Sequence, residues 1–73
     1  MIDQPSTDLI NTMRDAYMAL RCAEAALVLD AETHADAGRI DIANDRNRLA
    51  GVAHKAAMAI RPHIGMLEED LTP

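Results

Sequence analysis

Apolar residues return every three or four positions along two long segments of this chain. In the first, Leu9, Met13, Ala16, Leu20, Ala23 and Leu27 alternate spacings of four and three, the seam of a helix packed lengthwise on a partner. Large residues alternate with alanine along it. In the second, Ile42, Leu49, Ala53, Ala56, Ile60 and Leu67 continue a stripe of the same kind. No Gly or Pro interrupts the first segment after Thr7, and Gly38 is a natural residue to end it. The pattern predicts an all-α chain forming one domain over residues 1–73. It places helix 1 at about 7–36, a turn at about 37–41, helix 2 at about 42–61 and a short C-terminal helix at about 62–70.

Local signals set the expected ends. Ser6 or Thr7 caps helix 1 with Asp8 in its first turn, and Asp41 or Asn44 caps helix 2 with Asp45 near its positive end. Pro62 lacks an amide hydrogen and crowds the preceding turn, so helix 2 is expected to kink or break near Arg61. Gly51 costs about 1 kcal/mol in a helix relative to Ala, which a close approach of a neighbouring backbone would justify. Two segments of about thirty residues, each roughly 45 Å long as helix, joined by a short turn, read as an antiparallel hairpin.

A second apolar row complicates that hairpin. The stretch AYMALRCAEAALVLDA, residues 16–31, carries charge only at Arg21, Glu24 and Asp30. Met18, Cys22, Ala25, Ala26 and Leu29, with Val28 beside them, lie off the seam. A single partner helix cannot cover both rows. Met18, Cys22, Ala25, Val28 and Leu29 are therefore the expected oligomer interface, through which two hairpins dimerise into a four-helix bundle.

Composition sharpens this picture. Fourteen Ala against one Tyr and no Phe or Trp leave a core of Leu, Ile and Met set among small residues, so the helices can approach closely. A chain of 73 residues buries only about 60% of its unfolded surface, which leaves it marginal alone. Cys22 is the only cysteine, so no internal disulfide supplements the core, and a reducing compartment is expected. The start of the chain has neither a basic nor an apolar signal region, and no apolar run approaches the ~20 residues a bilayer requires. The expectation is a cytoplasmic protein without membrane contact.

The net charge of −5 argues against nucleic acid as the main partner, since phosphate binding needs a basic surface. Its distribution matters more. Residues 3–36 hold seven acids and two bases, whereas residues 39–61 hold five bases and two acids, which favours pairing the two helices with each other. A turn near Gly38 and Arg39 sets Glu32 against Arg46, Asp30 against Arg48, Glu24 against His54 and Asp15 against His63, with Tyr17 level with Arg61. Exposed pairs of this kind contribute ~0–1 kcal/mol each and favour register more than stability.

Residues with chemistry of their own are few. Asp30 and His34 share a helical face, but the Glu-x-x-His spacing of bundle metal sites is absent: positions 31, 51 and 60 hold Ala, Gly and Ile. Cys22 sits in an apolar row with no His at helical spacing and reads as a small hydrophobe. Ser6 is the only serine, and no Gly-rich phosphate loop follows a strand. No catalytic, cofactor-binding or metal-ligating residue is expected, and no enzyme activity. Arg46, Arg48, Lys55 and Arg61 form the one basic concentration; they are candidate contacts for a phosphate-bearing ligand or an acidic partner, set against the acids of helix 1 that would neutralise them.

In outline, and through LDAETHAD at residues 29–36, the chain resembles the RNA-binding hairpin proteins of plasmid copy control, whose two antiparallel helices pair into a four-helix bundle. The basic, aromatic helix face has no counterpart here, so the resemblance implies architecture and not RNA binding. RNRLAGVAHKAAMAIR at residues 46–61 is similar to Ala-rich helices of phage hairpin proteins that sequester cyclic nucleotides. That likeness implies an oligomer holding a ligand with Arg46, Arg48 or Lys55 at a subunit boundary. Neither likeness amounts to membership of a family. The reading that follows from the residues is a small non-enzymatic interaction module that self-associates and binds or regulates another protein. The alternatives are a small acidic inhibitor of phage type, acting on a nucleic-acid-handling complex, and the ligand-sequestering oligomer.

Overall fold

A computed structural model describes residues 4–71, with side chains from Thr7 onward. Two helices, α1 (Gln4–Asp36) and α2 (Ile40–Leu71), account for nearly all of them. They pack against each other along their length in an antiparallel hairpin, and no strand occurs among the described residues. The molecule is a rod with extents of 58 × 15 × 13 Å.

The turn follows from one glycine. Gly38 takes a φ of +81°, a left-handed conformation open to residues without a Cβ. Its N–H donates to the carbonyl of Ala35 at 3.0 Å, and the N–H of Arg39 donates to that of His34 at 2.8 Å. These are the two bonds of a Schellman motif, which satisfy carbonyls that the helix end would otherwise leave open. The apolar contact common between the flanking residues is replaced here by a polar one, with Arg39 Nε donating to His34 Nδ1 at 2.8 Å.

Several expected boundaries move. α1 begins at Gln4, so positions 6 and 7 lie within the helix and not at its cap position; Pro5 is tolerated because first-turn amides have no helical acceptor. At the head of α2 the first helical bond runs from the N–H of Ala43 to the carbonyl of Arg39 at 3.0 Å. Arg39 therefore holds the cap position, leaving Asp41 in the first turn and Asn44 in the helix body. The chain passes straight from one helix to the next, and the three-residue turn dictates the cap more strongly than side-chain preference does. α2 also runs through Pro62 as one helix, where a kink or break and a short terminal helix were expected. A rod only 15 × 13 Å across leaves no space for a sharp bend, and packing on α1 holds both halves of α2 in line.

The seam itself is displaced by one residue on one edge. Apart from Thr7 and Asp30, the residues of α1 withdrawn from solvent among the described side chains are Ile10, Met13, Tyr17, Leu20, Glu24, Leu27, Ala31 and His34, a strict alternation of three and four. Met13, Leu20 and Leu27 were expected there; Leu9, Ala16 and Ala23 were too, and are exposed. In α2 the seam runs through Ala43, Arg46, Ala50, Ala53, Ala57, Ile60, Ile64, Leu67 and Leu71. Ile42 and Leu49 of the expected stripe stand outside it at 37% and 44% exposure.

Size explains the choice. The ion pairs Asp30–Arg46 and Glu24–His54 join the helices and set a register in which Leu20 stands level with Ala57 and Leu27 with Ala50. Bulk from α1 meets alanine from α2, so the backbones come close. Five of the seven buried apolar residues among those described are alanines, the others being Ile10 and Ile64. Each alanine hides one methyl group, on the order of 0.8 kcal/mol, so the seam is tight but thin.

Candidate interaction surface

With the seven helical positions lettered a to g and the seam at a and d, an antiparallel pair brings its two e rows together on one flank and its two g rows on the other. The e flank is polar. Arg14 Nη2 lies 2.8 Å from Glu68 Oε2 across it, and both oxygens of Glu24 lie 3.2 Å from His54 Nδ1, with Arg21 Nε 3.8 Å from Glu24. Toward the open end of the hairpin this flank holds a shallow cavity of about 370 Å³ whose lining includes Arg14, Tyr17, Met18, Arg61 and Ile64.

Ionic contacts concentrate near the turn. Arg46 occupies a d position, where its stem covers the seam while its head reaches outward; Nε donates to Asp30 Oδ2 at 3.0 Å and Nη1 to Asp45 Oδ2 at 2.7 Å. Arg48 adds a 3.4 Å contact to Asp45. His34 accepts from Arg39 at Nδ1, so its proton sits on Nε2, 3.4 Å from Asp30. The sequence paired Asp30 with Arg48; the structure gives it Arg46, because the arginine at 46 is the one turned toward α1. Glu24 and His54 meet as expected. Asp15 and Glu32 do not meet His63 and Arg46: both stand exposed on parts of α1 turned away from α2.

The four candidate cationic contacts are thus divided. Arg46 and Arg48 are taken up by acids, whereas Lys55 and Arg61 pair with no acid among the described residues. They do not converge on one point, since Arg61 faces the e flank and Lys55 the outer side of α2. Among the described residues no three His, Cys, Asp or Glu side chains gather as a metal-binding group, and no helix is long and apolar enough to cross a membrane.

The expected interface residues do come together. Met18, Cys22, Ala25 and Leu29 form one stripe on the side of α1 opposite the seam, all exposed, with Met18 and Leu29 at 64%. Val28, at 40%, borders the stripe from the e flank. Nothing among the described residues covers them.

A broader apolar face escaped the sequence reading. Once Ile10, Tyr17 and Glu24 fill the seam, Ala16 and Ala23 move to the g flank, where Ala19 and Ala26 lie beside them. From α2, Leu49 and Ala56 join the same flank with Val52 and Ala59. Of these eight only Ala56 is half-buried; the rest are exposed, with Val52 at 60%. The signal was present in the spacing: 16, 19, 23, 26 and 49, 52, 56, 59 each repeat three, four, three, a second seam on each helix. Assigning Ala16 and Ala23 to the first seam hid it.

No protein-family model, curated protein or solved structure matches the chain.

Proposed function

We propose that this protein is a non-enzymatic helical-hairpin interaction module, which hides its surplus apolar surface first against a second copy of itself, as a four-helix bundle, and then against another protein. One quantity carries this reading. The chain exposes 5332 Å², whereas a folded monomer of its mass, 7.9 kDa, exposes ~4,400 Å² by the general scaling of surface with size. The excess of roughly 900 Å² is close to the ~800 Å² that each partner contributes to an interface of ordinary size.

The excess is apolar where it counts. Met18, Val28 and Leu29 on α1 and Leu49 and Val52 on α2 are each at least 40% exposed, in contiguous stripes of the kind that mark interaction sites. Light scattering or sedimentation equilibrium at micromolar concentration tests the reading: the expected mass is at least twice 7.9 kDa. A monomer that melts cooperatively at that concentration removes it.

A further inference from the structure

Resting on that reading, we infer that the second copy binds the flank bearing Ala16, Ala23, Leu49 and Ala56, with the two hairpins' turns at opposite ends, and that the Met18–Leu29 stripe stays outside that interface. Both helices contribute to this flank, and both contribute a full second seam. From Leu9 to Thr33 it is ~36 Å long at 1.5 Å per residue and two helices, or ~20 Å, wide. The resulting ~720 Å² approaches the ~800 Å² per partner of a stable interface. The Met18–Leu29 stripe is one helix wide and ~17 Å long, and offers less than a quarter as much.

Shape and charge select the arrangement. The uncharged window, Ala16 to Ala26 on α1 and Leu49 to Ala59 on α2, lies near the middle of both helices. A twofold axis across the rod through that window sets α1 on α1 and α2 on α2 of the second copy, each pair antiparallel. With the axis passing level with Ala23 and His54, Leu49 faces Ala59 and Val52 faces Ala56, large against small, while Ala23 faces its own counterpart. Asp45 of each copy comes to His63 of the other, and Asp30 to Ala16. With the turns together, α1 would lie over α2 of the second copy, and Asp30 would meet Asp45 at two places. Like charges brought together in an interface oppose association.

Solution mass and cross-linking test this on the full chain. The wild type and Leu29→Glu should both have twice the mass of one chain, while Ala23→Glu should weaken association at least 100-fold. In the wild-type assembly Cys22, which is exposed in the single hairpin, should react with a thiol reagent as fast as in the dissociated protein. Where Ala23→Glu loses its helices, Cys22→Ser/Ala23→Cys takes its place: it should fold, dimerise and be joined chain to chain by a short bis-maleimide. Dissociation by Leu29→Glu, protection of Cys22, or a folded dimer whose Cys at position 23 cannot be joined each overturns the inference and leaves self-association standing. A monomeric wild type removes both.

Discussion

Three glycines in one helical chain occupy positions with opposite demands. Gly38 sits at φ +81°, where a Cβ would crowd the following carbonyl at a cost of roughly 1–2 kcal/mol. Gly51 and Gly65 lie inside α2 with nothing within 4 Å of where a Cβ would stand. The neighbouring backbone that the sequence reading invoked to justify Gly51 is therefore not α1. Gly38→Ala should lower the midpoint of thermal unfolding by about 4–8 °C per kcal/mol lost. Gly51→Ala should raise stability by about 1 kcal/mol, since alanine fits the space and restricts the unfolded chain. Gly51 lies away from the proposed copy–copy flank, so the same substitution should leave the mass in solution unchanged. Thermal melts monitored by circular dichroism, with the mass measured alongside, check both signs.

Within the elements, the hairpin was legible and its seam only partly so. Uninterrupted periodicity and Gly38 announce two helices and their turn, because helix length and a left-handed terminus are written in local residue types. Seam placement depends on what faces what. Tyr17 and Glu24 look like surface residues in isolation, and they enter the seam because the tyrosine is largely apolar in body and the carboxylate reaches His54 and Arg21. Residues 9, 16 and 23 looked apolar enough to replace 10, 17 and 24, and a shift of one position then concealed a face. Pro62 shows the same limit from the other side: local propensity expected an interruption, and lengthwise packing overrides it. The missing amide leaves the carbonyl of Met58 without its helical donor, so α2 carries a local weakness. Pro62→Ala restores that bond at a position exposed to solvent and should stabilise α2 by up to about 3 kcal/mol, read as a higher denaturant midpoint with unchanged helical content.

For the molecule as a whole, the question is what keeps a rod this thin folded. Among the described residues no large side chain is fully buried, and the buried apolar set is mostly alanine. The ion pairs across the helices are between side chains mostly a third to a half exposed, so each adds ~0–1 kcal/mol and more to register than to stability. Ordering a chain of this length costs on the order of 100 kcal/mol in conformational entropy, and one alanine-lined seam offers few apolar groups against it. Covering the flank built from both helices adds the aliphatic bulk of Leu49 and Val52 and a second set of close helix contacts. Folding and association are then one equilibrium, and stability depends on protein concentration. A tenfold rise in concentration adds about 1.4 kcal/mol per dimer. Against an unfolding entropy of roughly 2.1 cal/mol/K per residue over both chains, that amounts to a melting midpoint about 4–5 °C higher. Melts from one to one hundred micromolar should therefore climb by about 9 °C. A midpoint that stays fixed across that range would mean that the single hairpin holds itself together, and the apolar flank would need another explanation.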